Sequence, residues 1–270
     1  MASGSAIAEK IEQGVRARLH ACARRPFVVG LCGAQGSGKS TVAAALKALL
    51  ERDGLSCAIL SIDDLYRTKA ERQRLATEVH PLLATRGVPG THDIALGEAL
   101  FDALARGDAV TLPRFDKAID DRLPVSDWER LAEPPAVLIF EGWLVGARPQ
   151  SAAALASPVN ALERAEDADG AWRRHANAQL AGPYQQLFAR IDYLALLAAP
   201  DFAVVEGWRL EQEHELHARR GAGMSDEQVR RFVQHYERLT RHILAEMPAY
   251  ADMTIALDVD RAIHAGDIRA

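Results

Sequence analysis

The chain has 270 residues, 49% apolar and 26% charged, with a net charge of −5 and a pI near 6.0. That is enough apolar material for a large core, and an acidic balance excludes the broadly basic surface that nucleic-acid binding needs. No stretch approaches the roughly 18 apolar residues of a membrane span, and "MASGSAIAEK" has no apolar leader core.

In chain order, residues 5–25 predict a helix, and "PFVVGLCG" (26–33) predicts a buried strand. The stretch 40–54 predicts a helix stopped by Gly54, and "SCAILSID" (56–63) a second strand. A polar helix follows through the 70s, then a Gly-, Pro- and Thr-rich loop over 80–93. Residues 93–107 predict a helix and "DAVTLPRFD" an extended segment. "PPAVLIFEGW" (134–143) and "RIDYLALLAAP" (190–200) predict two more buried strands. The Ala-rich span 148–188, with Gly170, Gly182 and Pro183, is read as an insertion. A helix runs from Asp201 to about Arg220, ended by Gly221. Ser225 and Gln228 form a capping box before a helix whose apolar face is Val229, Phe232, Val233, Tyr236, Leu239 and Ile243. Pro248 closes it, and "MTIALDV" (253–259) is the expected last strand. Alternating strands and helices predict an α/β fold, a parallel sheet covered on both faces. Cys22, Cys32 and Cys57 lack metal-ligand spacing, and together with the missing leader they lead us to expect a reduced, cytoplasmic setting.

"GAQGSGKS" (33–40) fits G-x-x-x-x-G-K-[ST] between a strand and a helix, the context a phosphate-binding P-loop requires. Gly33, Gly36 and Gly38 let successive backbone N–H groups turn inward toward phosphate oxygens. The helix that follows adds the positive end of its dipole. Lys39 is expected at the β- and γ-phosphates and the Ser40 hydroxyl on Mg²⁺. There is no N-K-x-D guanine-reading motif, which argues against a GTPase.

Asp63 ends the second strand 24 residues after Lys39, at the sheet edge where ligands bind in open α/β folds. A carboxylate there can take the proton of an attacking hydroxyl or hold Mg²⁺. Glu141 ends "AVLIFEG" in the same way and suits the Mg²⁺ shell or the acceptor's hydroxyls. Asp64 reads equally well as a helix cap. Trp143 and Trp208 read as core or packing residues. Two acidic strand tips beside a P-loop predict transfer of a γ-phosphoryl group to a small alcohol.

"RGVPGTHD" (86–93), "PRFDKAIDDR" (113–122), "FEGW" (140–143), "GWRLEQE" (207–213) and "MSDEQV" (224–229) join "GAQGSGKS" and "SIDDLY". In this order, over about residues 26–260, they resemble the plant- and fungal-type D-glycerate 3-kinases and their bacterial relatives. That family lies within the P-loop kinases of the uridine kinase, phosphoribulokinase and pantothenate kinase group. The resemblance implies a P-loop NTPase fold: one kinase domain over 1–270, a five-stranded parallel sheet with helices on both faces, and a helical lid at 201–231. It implies that Gly33, Ala34, Gln35, Gly36, Ser37, Gly38, Lys39, Ser40 and Thr41 bind ATP phosphates and Mg²⁺, and that Asp63 is the base. Tyr66, Arg86, His92, Asp93, Arg114, Asp116, Lys117 and Glu141 would lie on the acceptor side, with Asp63 beside them. Arg209 or Arg219 would close the lid over the phosphates. A carboxylate on the acceptor suits the arginines and lysines of these loops. The expected reaction is ATP- and Mg²⁺-dependent phosphorylation of D-glycerate, with no nucleic-acid or membrane partner. Open alternatives are the same reaction on uridine, pantothenate or a sugar phosphate, and a nucleotide-gated binding module without turnover.

Overall fold

A computed structural model of the chain describes residues 2–19, 21–22, 25–220 and 223–269, with the backbone alone for 2–3, Leu216, Arg219, Arg220 and 264–269. Its strands are β1 (Phe27–Gly33), β2 (Cys57–Ser61), β3 (Val110–Leu112), β4 (Phe115–Asp116), β5 (Asp121–Arg122), β6 (Glu129–Leu131), β7 (Val137–Gly142), β8 (Tyr193–Ala198), β9 (Met253–Leu257) and β10 (Ile263–Arg269). The helices are α1 (Ala2–Leu19), α2 (Lys39–Arg52), α3 (Lys69–Glu78), α4 (Ile94–Arg106), α5 (Ala161–Glu166), α6 (Ala171–Gln179), α7 (Gln185–Phe188), α8 (Phe202–Arg220) and α9 (Asp226–Glu246).

The main sheet has the order β10-β9-β8-β1-β7-β2. Its five expected strands are parallel, which requires a crossover between each pair. β9 is not the last strand, as the sequence had led us to expect, because β10 follows it and pairs antiparallel at the edge. The N-terminal helix ends at Leu19 rather than near residue 25. The 80–93 loop contains a short 3₁₀ turn over Pro81–Ala84, with His80 as its N-cap.

Each central strand is buried on both sides, and its side chains divide by the two-residue period of a strand. Phe27, Val29 and Leu31 of β1 join Val137 and Ile139 of β7 in one core, beneath Ile7, Ile11 and Val15 of α1 and Val42, Leu46 and Leu50 of α2. Val28 and Cys32 join Leu138 and Phe140 in the other, against Leu100, Phe101 and Leu104 of α4. α9 serves both: Val229 and Val233 enter the first core, and Tyr236, Leu239 and Ile243 the second. Its expected capping box is present, with Ser225 and Gln228 each bonding the other's backbone N–H. Among the described residues no helix is long and apolar enough to cross a membrane.

The span 148–188 folds as α5, α6, a π turn over Leu180–Tyr184, and α7. Two buried arginines fasten it. Arg238 of α9 grips Glu163 with Nε and Nη2 at 2.7 and 2.6 Å, and also donates to the carbonyls of Ala154 and Ser157. Arg173 holds Asp167 at 2.9 Å and donates to the Leu155 carbonyl.

Candidate active site

The loop between β1 and α2 turns on glycines in the left-handed region, Gly36 at φ 76° and Gly38, which caps α2, at φ 83°. At Gly36 close approach matters as well: a Cβ there would come within 2.5 Å of the Trp208 side chain and 3.1 Å of its carbonyl carbon. The Cβ and backbone of Trp208 of α8 thus press against the phosphate loop, and its indole donates to the Val259 carbonyl at 2.7 Å. Arg261 completes the brace, donating to the Gly36 carbonyl at 2.6 Å beneath a guanidinium stacked 5.1 Å over the Trp208 ring. No acidic residue occupies the first turn of α2, so the field there stays positive.

Ser40 and Glu141 meet, the Ser40 hydroxyl donating to Glu141 Oε1 at 3.0 Å. Glu141 is 5% exposed and its Oε2 has no partner; the buried Ser37 Oγ and Gln35 Oε1 of the loop are also without one. Buried polar atoms are seldom left unsatisfied. Oxygens from a hydroxyl and a carboxylate are the donor set for Mg²⁺, which takes one or two protein ligands and completes its shell with water and phosphate. The residues therefore fit a phosphate-bound Mg²⁺. Among the described residues there is no cluster of three or more His, Cys, Asp or Glu side chains suited to a metal.

Asp63 lies in a short turn after β2, where the Ser61 hydroxyl accepts its backbone N–H. Its carboxylate meets Lys117 Nζ at 2.6 Å. Burial pushes the Asp63 carboxyl up, but the ammonium groups of Lys117 and then Lys39 outweigh it, so the group sits well below the usual carboxylate range. Asp63 in turn holds Lys117 charged, above the ordinary lysine value. Burial, the Asp63 charge and a hydrogen bond to Asp63 all hold the Tyr66 hydroxyl in its neutral form.

The His92 ring stacks on Tyr66 at 4.4 Å between centroids. It is 1% exposed, and burial pushes its pKa down to about 3 against the opposing pull of Asp63. Its Nδ1 lies 2.7 Å from the Tyr184 hydroxyl, while Nε2 is buried and without a partner.

Arg86 is paired with Asp120 and lies 5.8 Å over the Phe115 ring. Asp120 also binds the fully buried Arg72 at 2.8 Å, so two guanidinium groups share one carboxylate. Asp120 and Lys117 both belong to the hairpin turn between β4 and β5. The site thus brings together Lys39, Asp63, Tyr66, His92 and Lys117, with Arg86 behind them and Ser40 and Glu141 at the loop.

The structure does not bring Asp93 and Arg114 into that group. Asp93 caps α4 through Leu96 N and meets Arg122 at 3.4 Å. Arg114 is divided between Asp64, at 3.2 Å, and Glu129, at 2.5 Å. Asp64 is not a helix cap. It accepts from Phe115 N at 3.0 Å and moors the hairpin that carries Lys117. Asp116 accepts from Ala118 N within that hairpin. On α8, Arg209 is ion-paired with Glu213 at 2.5 Å. The Arg219 side chain and Gly221 lie outside the described residues.

Sequence reading gave no site role to Tyr184 or Asp120, and placed Tyr236 only on the apolar face of α9. Gly87, within "RGVPGTHD", is the one signal that could have found Tyr236. Its φ is 139°, and a Cβ there would lie 2.2 Å from the Tyr236 hydroxyl, which reaches past it to donate to the Arg86 carbonyl at 2.9 Å.

The family model for the phosphoribulokinase and uridine kinase family matches residues 28–154, the stretch that holds the phosphate loop, Asp63, Lys117 and Glu141. An uncharacterised kinase of Schizosaccharomyces pombe is 40% identical over 224 residues, 78% of this chain and 79% of that protein. The chain belongs to this P-loop kinase family. The chloroplastic D-glycerate 3-kinase of Arabidopsis thaliana is 31% identical over 87% of this chain, which spans 53% of that longer protein. Among solved structures, a D-glycerate 3-kinase from Cryptococcus neoformans superposes with a TM-score of 0.81 at 27% identity, covering 98% of this chain and 99% of that one.

Proposed function

We propose that the chain is one kinase domain that transfers the γ-phosphoryl group of ATP to a hydroxyl of a small hydroxy acid, D-glycerate first. The observation that carries this reading is the Asp63–Lys117 pair beside Lys39, 2.6 Å between carboxylate and ammonium. It sets a proton acceptor for an alcohol next to a cation for a carboxylate, at the edge of a phosphate loop. The relatives named D-glycerate 3-kinase support the same acceptor.

The 33–41 backbone and Lys39 would hold the β- and γ-phosphates, and Ser40 and Glu141 would hold Mg²⁺. When bound there, the metal neutralises phosphate charge and aligns the γ-phosphoryl group. Asp63, already ionised, would orient the acceptor's hydroxyl and take its proton as the oxygen bonds to phosphorus. A weak carboxylate base suffices, because in a loose transition state positioning and charge neutralisation do most of the catalytic work. In this reading Asp63 serves the alcohol, while Ser40 and Glu141 would hold the metal.

Lys117, 60% exposed, would trade part of its hold on Asp63 for the acceptor's carboxylate. Arg86, with its half-share of Asp120, adds positive field from behind. Arg114 and Asp93 brace this wall. Arg209, next to the Trp208 that rests on Gly36, would leave Glu213 for the γ-phosphate as the lid closes.

A panel of acceptors with coupled detection of ADP tests this. D-glycerate should stimulate ADP release far above the rate with water alone. Stimulation by uridine, pantothenate or a sugar phosphate but not by glycerate would overturn the assignment of the acceptor.

A further inference from the structure

We propose that Tyr184 is a positioning residue that fixes His92 as the Nε2–H tautomer, making it a neutral hydrogen-bond donor to an oxygen of the acceptor. The inference rests on the kinase reading above and adds to it a residue from the 148–188 segment.

The argument is a proton count. Tyr184 is fully buried, and its hydroxyl has one proton and two lone pairs. Gly90 N donates to that oxygen at 3.0 Å, and the backbone N–H of His92 faces it too. The oxygen is therefore already an acceptor, and its own proton needs one. His92 Nδ1, at 2.7 Å, is the acceptor at hand. If Nδ1 carried the proton instead, it would compete with these N–H groups, and the Tyr184 O–H would be buried with nothing to receive it. The first arrangement satisfies both Tyr184 and Nδ1 and leaves a single group, Nε2–H, for a bound acceptor to meet.

A neutral imidazole with a bare Nδ1 carries its proton on Nε2. That nitrogen is the buried, unpartnered one. It belongs to the ring stacked on Tyr66, close enough to Asp63 to feel its charge. A neutral donor here can bind a hydroxyl or carboxylate oxygen without adding to the charge already supplied by Lys39 and Lys117.

The local backbone is shaped for the task. Pro183 lies within the π turn that aims Tyr184 inward, where its missing N–H leaves a carbonyl to be satisfied otherwise. Just after it, the Gln185 side-chain amide pins the turn, donating to the Leu180 carbonyl at 3.0 Å and the Ala147 carbonyl at 2.8 Å. Tyr184 also packs edge-on to His92 and Phe188, contacts that phenylalanine would keep.

The first test is nitrogen-15 NMR of histidine-labelled protein, with His92 assigned by comparison with His92→Gln. We expect a protonated, pyrrole-type Nε2 and a pyridine-type Nδ1 at neutral pH. A protonated Nδ1 would overturn the tautomer assignment, whatever the acceptor proves to be. The second is Tyr184→Phe in steady-state kinetics. We expect KM for the acceptor to rise roughly tenfold with KM for ATP unchanged, and the His92 nitrogens to lose their single-tautomer pattern. Unchanged spectrum and unchanged acceptor KM in that variant would overturn the positioning role. Absence of any turnover would count against the kinase reading, and the spectrum of the parent protein would still decide the tautomer.

Discussion

At the scale of single residues, the site is governed by one ion pair. Lys117 is the largest force lowering the Asp63 carboxyl, ahead of Lys39. Replacing Asp63 with Asn should cut turnover by roughly 10²–10⁴-fold while leaving Mg·ATP affinity in calorimetry nearly intact. Unchanged turnover would remove Asp63 from its role. Lys117→Met makes a different prediction. KM for the acceptor should rise about tenfold or more, because a carboxylate loses its cation. Burial would then be opposed mainly by Lys39, so the Asp63 pKa should climb and an acid limb should enter the kcat/KM profile where the parent protein is flat. A variant with an unaltered profile and unaltered acceptor KM would show that Lys117 does neither job. Asp63, Lys39, Ser40 and Glu141 were legible in sequence because each stands at a strand tip or in a glycine-spaced loop. Asp120 and Tyr184 were not, since their partners are 34 or more residues distant and no local pattern marks them.

At the scale of elements, burial of two kinds explains what could be read. Strands β1, β7 and β8 are continuous apolar runs, because a parallel strand is covered on both faces. The 148–188 segment is held instead by charged groups: Glu163 and Asp167 are fully buried under Arg238 and Arg173. Acidic and basic letters in the sequence mimic a solvated surface, and α5 to α7 are too short for a period to show. β10 was missed because "IHAGDIR" has no apolar run, as befits an edge strand. The buried pair gives a sharp expectation. Arg238→Met should destabilise the protein by about 3–5 kcal/mol in urea unfolding, since Glu163 loses its partner inside the protein. Coupling that change with Glu163→Gln should recover much of the loss. A single variant of parent-like stability would mean that the segment is held by its apolar contacts alone.

At the scale of the whole molecule, two buried histidines tie stability to pH. Burial pushes His92 down to about 3 and His235 to about 4, against 6.5 when unfolded. Between about pH 4 and 6.5 the unfolded chain therefore binds protons that the folded protein refuses. Stability should fall as pH drops through that window, by up to about 1.4 kcal/mol per pH unit for each histidine, and these groups should add no slope above it. Urea midpoints at pH 7.5 and 5.5 measure this, and His235→Gln should flatten the slope. A midpoint that rises on acidification would contradict the assignment of these rings as neutral.

The most direct measurement is phosphorus-31 NMR of the protein with Mg·ATP and D-glycerate. We predict that the γ-phosphate signal gives way to a glycerate phosphomonoester as ADP appears in equal amount. If ATP is consumed only to inorganic phosphate, or not at all, an alcohol is not being presented to the phosphate loop by Asp63 and Lys117 in the way proposed.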